Sequence, residues 1–341
     1  MNKFEVVCNE KALSGFFEDY LSGMGKPEET YDNLLISLHW KKLLFKGSYL
    51  ILDMTDDRYE ELVKTDPMFL LLEKSCQGGG SRISASPGIL DEYEKNESFG
   101  EFLSPMYIGV NFKKEHLMKF GRLIISQSEM NSIGSIIFND SKYLISDREQ
   151  KKDTLSSWND MESVSLPFTD LILIDNYIVK TGGIGNVTSL LKALIPKNQE
   201  KSKIRLTIIS AFFKETRSDI ERKTNQWYSK LSQTLESKFP KLSFELSVAI
   251  ITRLGLNHDR AVITNYLWID SGHGFNCFND NGKPKVTTTI KHIPIFSLSG
   301  IHKSSASSYD CWMTMRNHAR KLIVSCSYKK GDFEKNMLLK E

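Results

Sequence analysis

Several familiar signals are missing from this chain, and each absence removes a class of protein. Its five cysteines, Cys8, Cys76, Cys277, Cys311 and Cys326, form no CxxC pair. That argues against a disulfide scaffold and a zinc ribbon, and unpaired thiols point to a reducing, cytoplasmic setting. No uncharged apolar run approaches the ~20 residues that span a bilayer. The N-terminus, MNKFEVVCNEKALSGFF, carries acids early and lacks the apolar core of a signal peptide. Gly78, Gly79 and Gly80 are not followed by the Gly-Lys-Ser or Gly-Lys-Thr of a P-loop, so the stretch from Gln77 to Gly88 reads as a surface loop. No repeat of fixed period is visible. Charge of one sign is also lacking: 45 Lys and Arg against 42 Asp and Glu leave a net charge of +3. Such a balance permits an anionic partner, but many nucleic-acid binders are more basic.

What is present describes a globular chain with ample core material. Hydrophobic residues make up 40% of it and charged residues 26%. At 341 residues it exceeds the size at which single cores stop growing, so two domains are expected. The polar stretch DREQKKDTLSSWNDMESVS suggests a linker at residues 147–164. It separates an N-terminal mixed α/β domain, residues 1–146, from a C-terminal domain, residues 165–335.

The N-terminal half opens with helical spacing from Glu10 to Leu44, with Leu13, Phe16, Phe17 and Leu21 on one stripe. A buried strand, Gly47 to Met54, follows and ends near Asp53. Further strands are expected at Pro105 to Phe112, Arg122 to Gln127 and Ser132 to Asn139. The C-terminal half alternates more regularly. Strands are expected at Phe168 to Ile178, Lys203 to Phe213 and Ser243 to Thr252. Helices are expected at Asn186 to Ile195 and Arg217 to Phe239, the second stopped by Pro240. A later strand runs from Lys283 to Phe296. This alternation predicts βαβ units and a largely parallel sheet. Ligands of such sheets gather at strand C-termini, where Asp175 falls.

The chemistry-bearing stretch is LNHDRAVITNYLWIDSGHGFNCF, Leu256 to Phe278. Strand side chains alternate, so His258 and Arg260 share a face and Asp259 points away. An imidazole can attack phosphorus while a guanidinium binds the non-bridging oxygens. Gly272 and Gly274, either side of His273, would let backbone amides approach a phosphate. The spacing His258, Arg260, Asn265, then Gly272 resembles the H-x-K-x4-D motif of the phospholipase D superfamily. Arginine stands for the lysine and asparagine for the aspartate. The wider pattern is more similar still to the phospholipase D-like domain at the C-terminus of MIT-domain proteins. It includes Asp175-Asn176-Tyr177-Ile178, Asn186, Leu190 and Gly272-His273-Gly274-Phe275-Asn276-Cys277-Phe278, over about residues 165–330. His273 and Asn276 depart from that family's arginine and aspartate.

The resemblance implies a phospholipase D-like βαβ sheet domain whose site needs no metal and no cofactor. It implies His258 as nucleophile, Arg260 as phosphate clamp and Asn265 as a positioning residue. Asp175, Gly272, His273, Gly274 and Asn276 would contact substrate. The expected function is recognition of a nucleic-acid phosphodiester, with metal-independent hydrolysis and defence against foreign nucleic acid as its extensions. Each chain carries one such histidine, so an active enzyme would be a homodimer. A second reading is a non-catalytic module that binds an anionic membrane or a partner protein, as eukaryotic members of the family do. A third is a metal nuclease around Asp53, Asp56 and Asp57. The triplet His318-Ala319-Arg320 repeats the H-x-R spacing before an apparent strand, KLIVSCSY.

Overall fold

Short runs of β-branched and aliphatic residues form the centre of two separate sheets, seen in a computed structural model that describes residues 4–23, 31–95, 106–109, 121–146, 153–179, 183–252, 260–279, 282–297 and 307–340. The chain divides into two units, Met1–Asn139 and Asp140–Glu341. Both are α/β: the first holds a parallel five-stranded sheet, the second a mixed nine-stranded sheet.

In the first unit the strands are β1 (Phe4–Asn9), β2 (Ser48–Asp53), β3 (Arg82–Ala85), β4 (Met106–Gly109) and β5 (Leu123–Ser126). They lie in the order β3-β2-β1-β4-β5, and every pairing is parallel. That is the order of a doubly wound sheet, reversing direction between β1 and β4. Helices α1 (Glu10–Gly23) and α2 (Tyr31–Lys42) connect β1 to β2, and α3 (Asp56–Thr65) and α4 (Pro67–Gln77) connect β2 to β3. Helix α5 (Ile89–Lys95) follows β3. The strand expected at Ser132 to Asn139 is instead helix α6 (Met130–Ile137). Its buried residues, Met130, Gly134 and Ile137, recur at helical spacing. Gly134 lets α6 approach α2 closely, since a Cβ there would fall 2.4 Å from Ile36 Cγ2. The Trp40 indole donates to the Met130 carbonyl at 2.9 Å.

The second unit begins before the expected linker. Strand β6 (Ser141–Ile145) pairs with the C-terminal sheet, and β7 (Thr154–Leu155) extends it. A 3-10 helix, Trp158–Val164, then buries Trp158 and Met161. The stretch read as a linker from its polarity therefore contributes three of its few apolar side chains, Leu155, Trp158 and Met161, to the core. The remaining strands are β8 (Asp170–Ile174), β9 (Lys203–Ala211), β10 (Ser243–Ile251), β11 (Ala261–Thr264), β12 (Leu267–Ser271), β13 (Thr288–Pro294) and β14 (Tyr328–Lys330). The sheet order is β14-β10-β9-β8-β11-β12-β13-β6-β7. The three central strands β10, β9 and β8 are parallel, and β11 turns the sheet antiparallel.

Alternation divides the central strands between two faces. Leu171, Leu173, Leu206, Ile208, Leu246, Val248 and Ile250 belong to one buried cluster with α7 (Gly183–Leu194) and α8 (Arg217–Lys238). Burying each such side chain stabilises by roughly 1.5–3 kcal/mol. The opposite face carries Asp170, Arg205 and Thr207. Arg205 Nε and Nη2 donate to the two Asp170 oxygens at 2.8 Å each. Asn336 Nδ2 donates to Thr207 Oγ1 at 2.9 Å, and the Met337 amide donates to Asp170 Oδ1 at 2.8 Å. The C-terminal segment is thus tied to the sheet through a buried polar network. Helix α9 (Ser308–Ser325) contains the His318-Ala319-Arg320 triplet and the KLIVS segment expected as strand. Helical geometry turns His318 and Arg320 to different sides, so the second H-x-R forms no shared face.

Candidate functional site

The candidate site lies where the parallel strands end. Strand β8 stops at Ile174, and Asp175 follows with its carboxylate buried. Strand β11 pairs antiparallel with β8, with Ala261 opposite Ile174. Continuing that ladder by one residue sets Arg260 opposite Asp175, on the face that also carries Leu173 and Val262. The β11–β12 hairpin continues the ladder too, and the Ser271 amide donates to the Arg260 carbonyl at 3.0 Å. Gly272, His273 and Gly274 come next, so sheet register alone brings the loop to the guanidinium.

Arg260 is half-buried, and its Nη1 donates to the Gly272 carbonyl at 2.6 Å. Its Nε is buried with no hydrogen-bond partner among the described residues. The guanidinium carbon lies 5.7 Å from the centre of the Tyr177 ring, within cation–π range. One edge of the guanidinium is therefore fixed by the loop it faces, and its buried Nε is an unsatisfied donor. A bidentate oxyanion is the natural complement of that fork.

Asp175 organises the loop from below. Its Oδ2 accepts from the Phe275 amide at 2.6 Å, and its Oδ1 from the Tyr177 amide at 2.8 Å. Burial raises its pKa; the two amides and the Arg260 charge oppose that rise. Gly274 has φ +90°, a conformation glycine alone adopts without strain. Its carbonyl accepts from Ser271 Oγ at 2.5 Å and from Cys277 Sγ at 2.8 Å. The Cys277 thiol is buried, which pushes its pKa up to about 12, so it stays protonated and unreactive.

Aromatic packing anchors the far end of the loop. Trp158 meets the Phe278 ring edge-on at 5.2 Å and lies 6.1 Å from Phe275. Asn186 on α7 donates to the Phe278 carbonyl at 2.9 Å and to Asn276 Oδ1 at 2.8 Å, and it accepts from the Phe278 amide at 3.2 Å. Lys285 Nζ also donates to Asn276 Oδ1, at 2.9 Å. Phe275, Cys277 and Phe278 are buried while Gly272 and His273 are exposed. The loop is thus rigidly rooted with an open tip.

The structure brings Asp175, Arg260, Gly272, His273 and Gly274 together, with Asn276 at the base of the same loop. Asn265 does not join them. It lies beyond the other end of β11, where its Oδ1 accepts from the Thr169 and Asp170 amides at 2.9 and 3.0 Å. The four residues of β11 separate it from Arg260, a span of about 16 Å. Its position in the motif spacing is therefore a structural one, closing the start of β8. His258 lies outside the described residues. Tyr177, Ser271 and Lys285 complete the surroundings of the site. The first appeared in the sequence only as part of a matching tetrapeptide, and the other two carry no local signal.

The Asp53 alternative has a different geometry. Asp53 Oδ1 accepts from the Gly88 amide at 2.6 Å. Asp56 and Asp57 are exposed in the first turn of α3, where carboxylates complement the helix dipole, and Thr55 caps that helix. Among the described residues no group of three His, Cys, Asp or Glu side chains is placed to hold a metal ion. Nor is any described helix long and apolar enough to cross a membrane. No protein-family model matches the chain, and a search of curated proteins finds no significant match.

Proposed function

We propose that the loop at the C-terminal end of β8 recognises a phosphodiester of nucleic acid in the cytoplasm, with Arg260 as the clamp. The observation that carries this reading is the state of that guanidinium. The Gly272 carbonyl holds one nitrogen, and Nε has no partner among the described residues. The neighbouring carboxylate, Asp175, is occupied by the Phe275 and Tyr177 amides. A cation held this way keeps an unsatisfied donor, and exposed Gly272 and His273 leave room for a ligand beside it.

The phospholipase D-like resemblance supplies the chemistry on this proposal. His258 would attack phosphorus, the ester bond to the leaving oxygen would break, and water would later hydrolyse the phosphohistidine. A second imidazole must protonate the leaving oxygen, so activity requires two copies of the chain. Defence against foreign nucleic acid is the setting the resemblance suggests.

The test is oligonucleotide binding across a salt series. Arg260→Ala should weaken binding and lower the salt slope by about one counterion, with the melting temperature little changed. A large fall in melting temperature with binding intact would make Arg260 a brace and remove the clamp.

A further inference from the structure

A phosphate clamp alone does not distinguish single strands from duplex, but its neighbour does. Tyr177 follows Asp175 in the turn after β8, and its own amide is fixed on the Asp175 carboxylate at 2.8 Å. The residue nevertheless remains 46% exposed, one of five exposed large hydrophobic residues among the described residues. The Arg260 guanidinium sits over this ring at 5.7 Å. The Tyr177 amide is anchored, yet the residue stays exposed beside the clamp. The adjacent loop leaves space at Gly272, which has no side chain and is exposed.

We infer that Tyr177 is a stacking platform for an unpaired base, which makes single-stranded nucleic acid the substrate class of this site. The inference rests on the phosphate reading of Arg260. In a strand held by its phosphate, the attached base lies within one nucleotide's reach of the clamp. In duplex the base faces are covered by their neighbours and cannot stack on a protein ring. Single strands expose them, and proteins that bind such strands pair cationic contacts with aromatic platforms. An anionic membrane is the poorer complement. Membrane-surface binding scales with buried apolar area, and Tyr177 is the one exposed large hydrophobic residue among the described residues of this site.

The experiment measures fluorescence anisotropy of the full chain with a labelled oligothymidylate, an abasic strand of equal length and a blunt duplex, at low salt. Wild type should prefer the thymidylate over both other probes. Tyr177→Ala should weaken thymidylate binding by roughly 5- to 150-fold, the range measured for loss of one base–aromatic stack. Duplex and abasic binding, which involve no stack, should fall far less, and Tyr177→Phe should retain the preference. Equal binding of thymidylate, abasic strand and duplex, all lost in Arg260→Ala, would overturn the stacking role while leaving the phosphate clamp standing. No binding of any probe, or binding indifferent to Arg260→Ala, would overturn both. Anionic phosphatidylserine vesicles retained by wild type and lost in Tyr177→Ala, with no oligonucleotide bound, would assign the surface to lipid instead.

Discussion

Gly274 presses its backbone against the Asp175 carboxylate so closely that a Cβ at that position would lie 2.5 Å from Asp175 Oδ2. The two residues are far apart in sequence and are the tightest point of the site. The carboxylate takes the Phe275 amide only because residue 274 has no side chain and holds φ +90°. Gly274→Ala therefore meets two obstacles, a steric clash and a left-handed backbone. It should destabilise the second unit by about 1–3 kcal/mol, the usual cost of such strain, and should weaken anion binding by displacing the Gly272 carbonyl from Arg260. Denaturant melts beside oligonucleotide titration check both effects. A variant of wild-type stability would mean that the loop does not need its seat on Asp175.

Asn265 makes the opposite prediction. Its side chain covers the Thr169 and Asp170 amides, which are buried. Asn265→Ala leaves two backbone donors unsatisfied, a cost of about 1–3 kcal/mol for each. Binding at Arg260 should survive, since that site is at the other end of β11. Loss of binding at full stability would return Asn265 to the site despite the strand between them.

These two residues also mark how far the sequence can be read. Strands β8, β9 and β10 are legible because β8 is an aliphatic run after Asp170, while β9 and β10 alternate apolar with polar residues before apolar C-terminal ends, all set between polar helices. Asp175 and the Gly272–Gly274 loop are legible because ligand loops follow strand ends. Asn265 is misplaced because motif spacing counts residues, whereas an extended strand carries each residue further along the sheet. The helix α6 is hidden for another reason. The run SIGSIIFN has β-branched residues and a glycine, and only packing against Ile36 and Trp40 selects the helix. The doubly wound order of the first sheet is equally hidden, because β4 and β5 are only four residues each and pairing order leaves no local trace. The linker expected at residues 147–164 shows the same limit: polarity marks the surface, and Trp158 and Met161 nonetheless reach the core.

His292 on β13 gives the second unit an acid sensitivity. It is buried, its Nε2 lies 3.2 Å from the Val164 carbonyl, and its Nδ1 has no partner among the described residues. Burial lowers its pKa to about 4. The folded state therefore resists a proton that the unfolded chain accepts near 6.5. Above that value the titration of His292 adds no cost. As pH falls towards 4 the unfolded state gains the proton first, and stability declines by up to about 3 kcal/mol before levelling off. His292→Phe should melt with a flatter pH dependence between 7 and 4. An unchanged slope would place the acid sensitivity in other groups.

Catalysis is the furthest consequence of the proposed reading, and it separates the three candidate chemistries. A histidine nucleophile makes its own covalent phosphoenzyme, so cleavage should persist in EDTA. It should vanish in His258→Ala, since no other group in the mechanism attacks phosphorus. It should also depend on association, because one H-x-R histidine per working site cannot both attack and protonate the leaving oxygen. Light scattering at assay concentration should then find a dimer, and dilution below its dissociation should abolish turnover. Magnesium-dependent cleavage that survives His258→Ala would move the chemistry to the acidic residues near Asp53. A monomer that binds oligonucleotide through Arg260 without cutting it would retain the recognition and remove the enzyme. The clamp geometry requires only the first of these, because Arg260 is positioned by Gly272 and by the β8–β11 ladder rather than by any second chain.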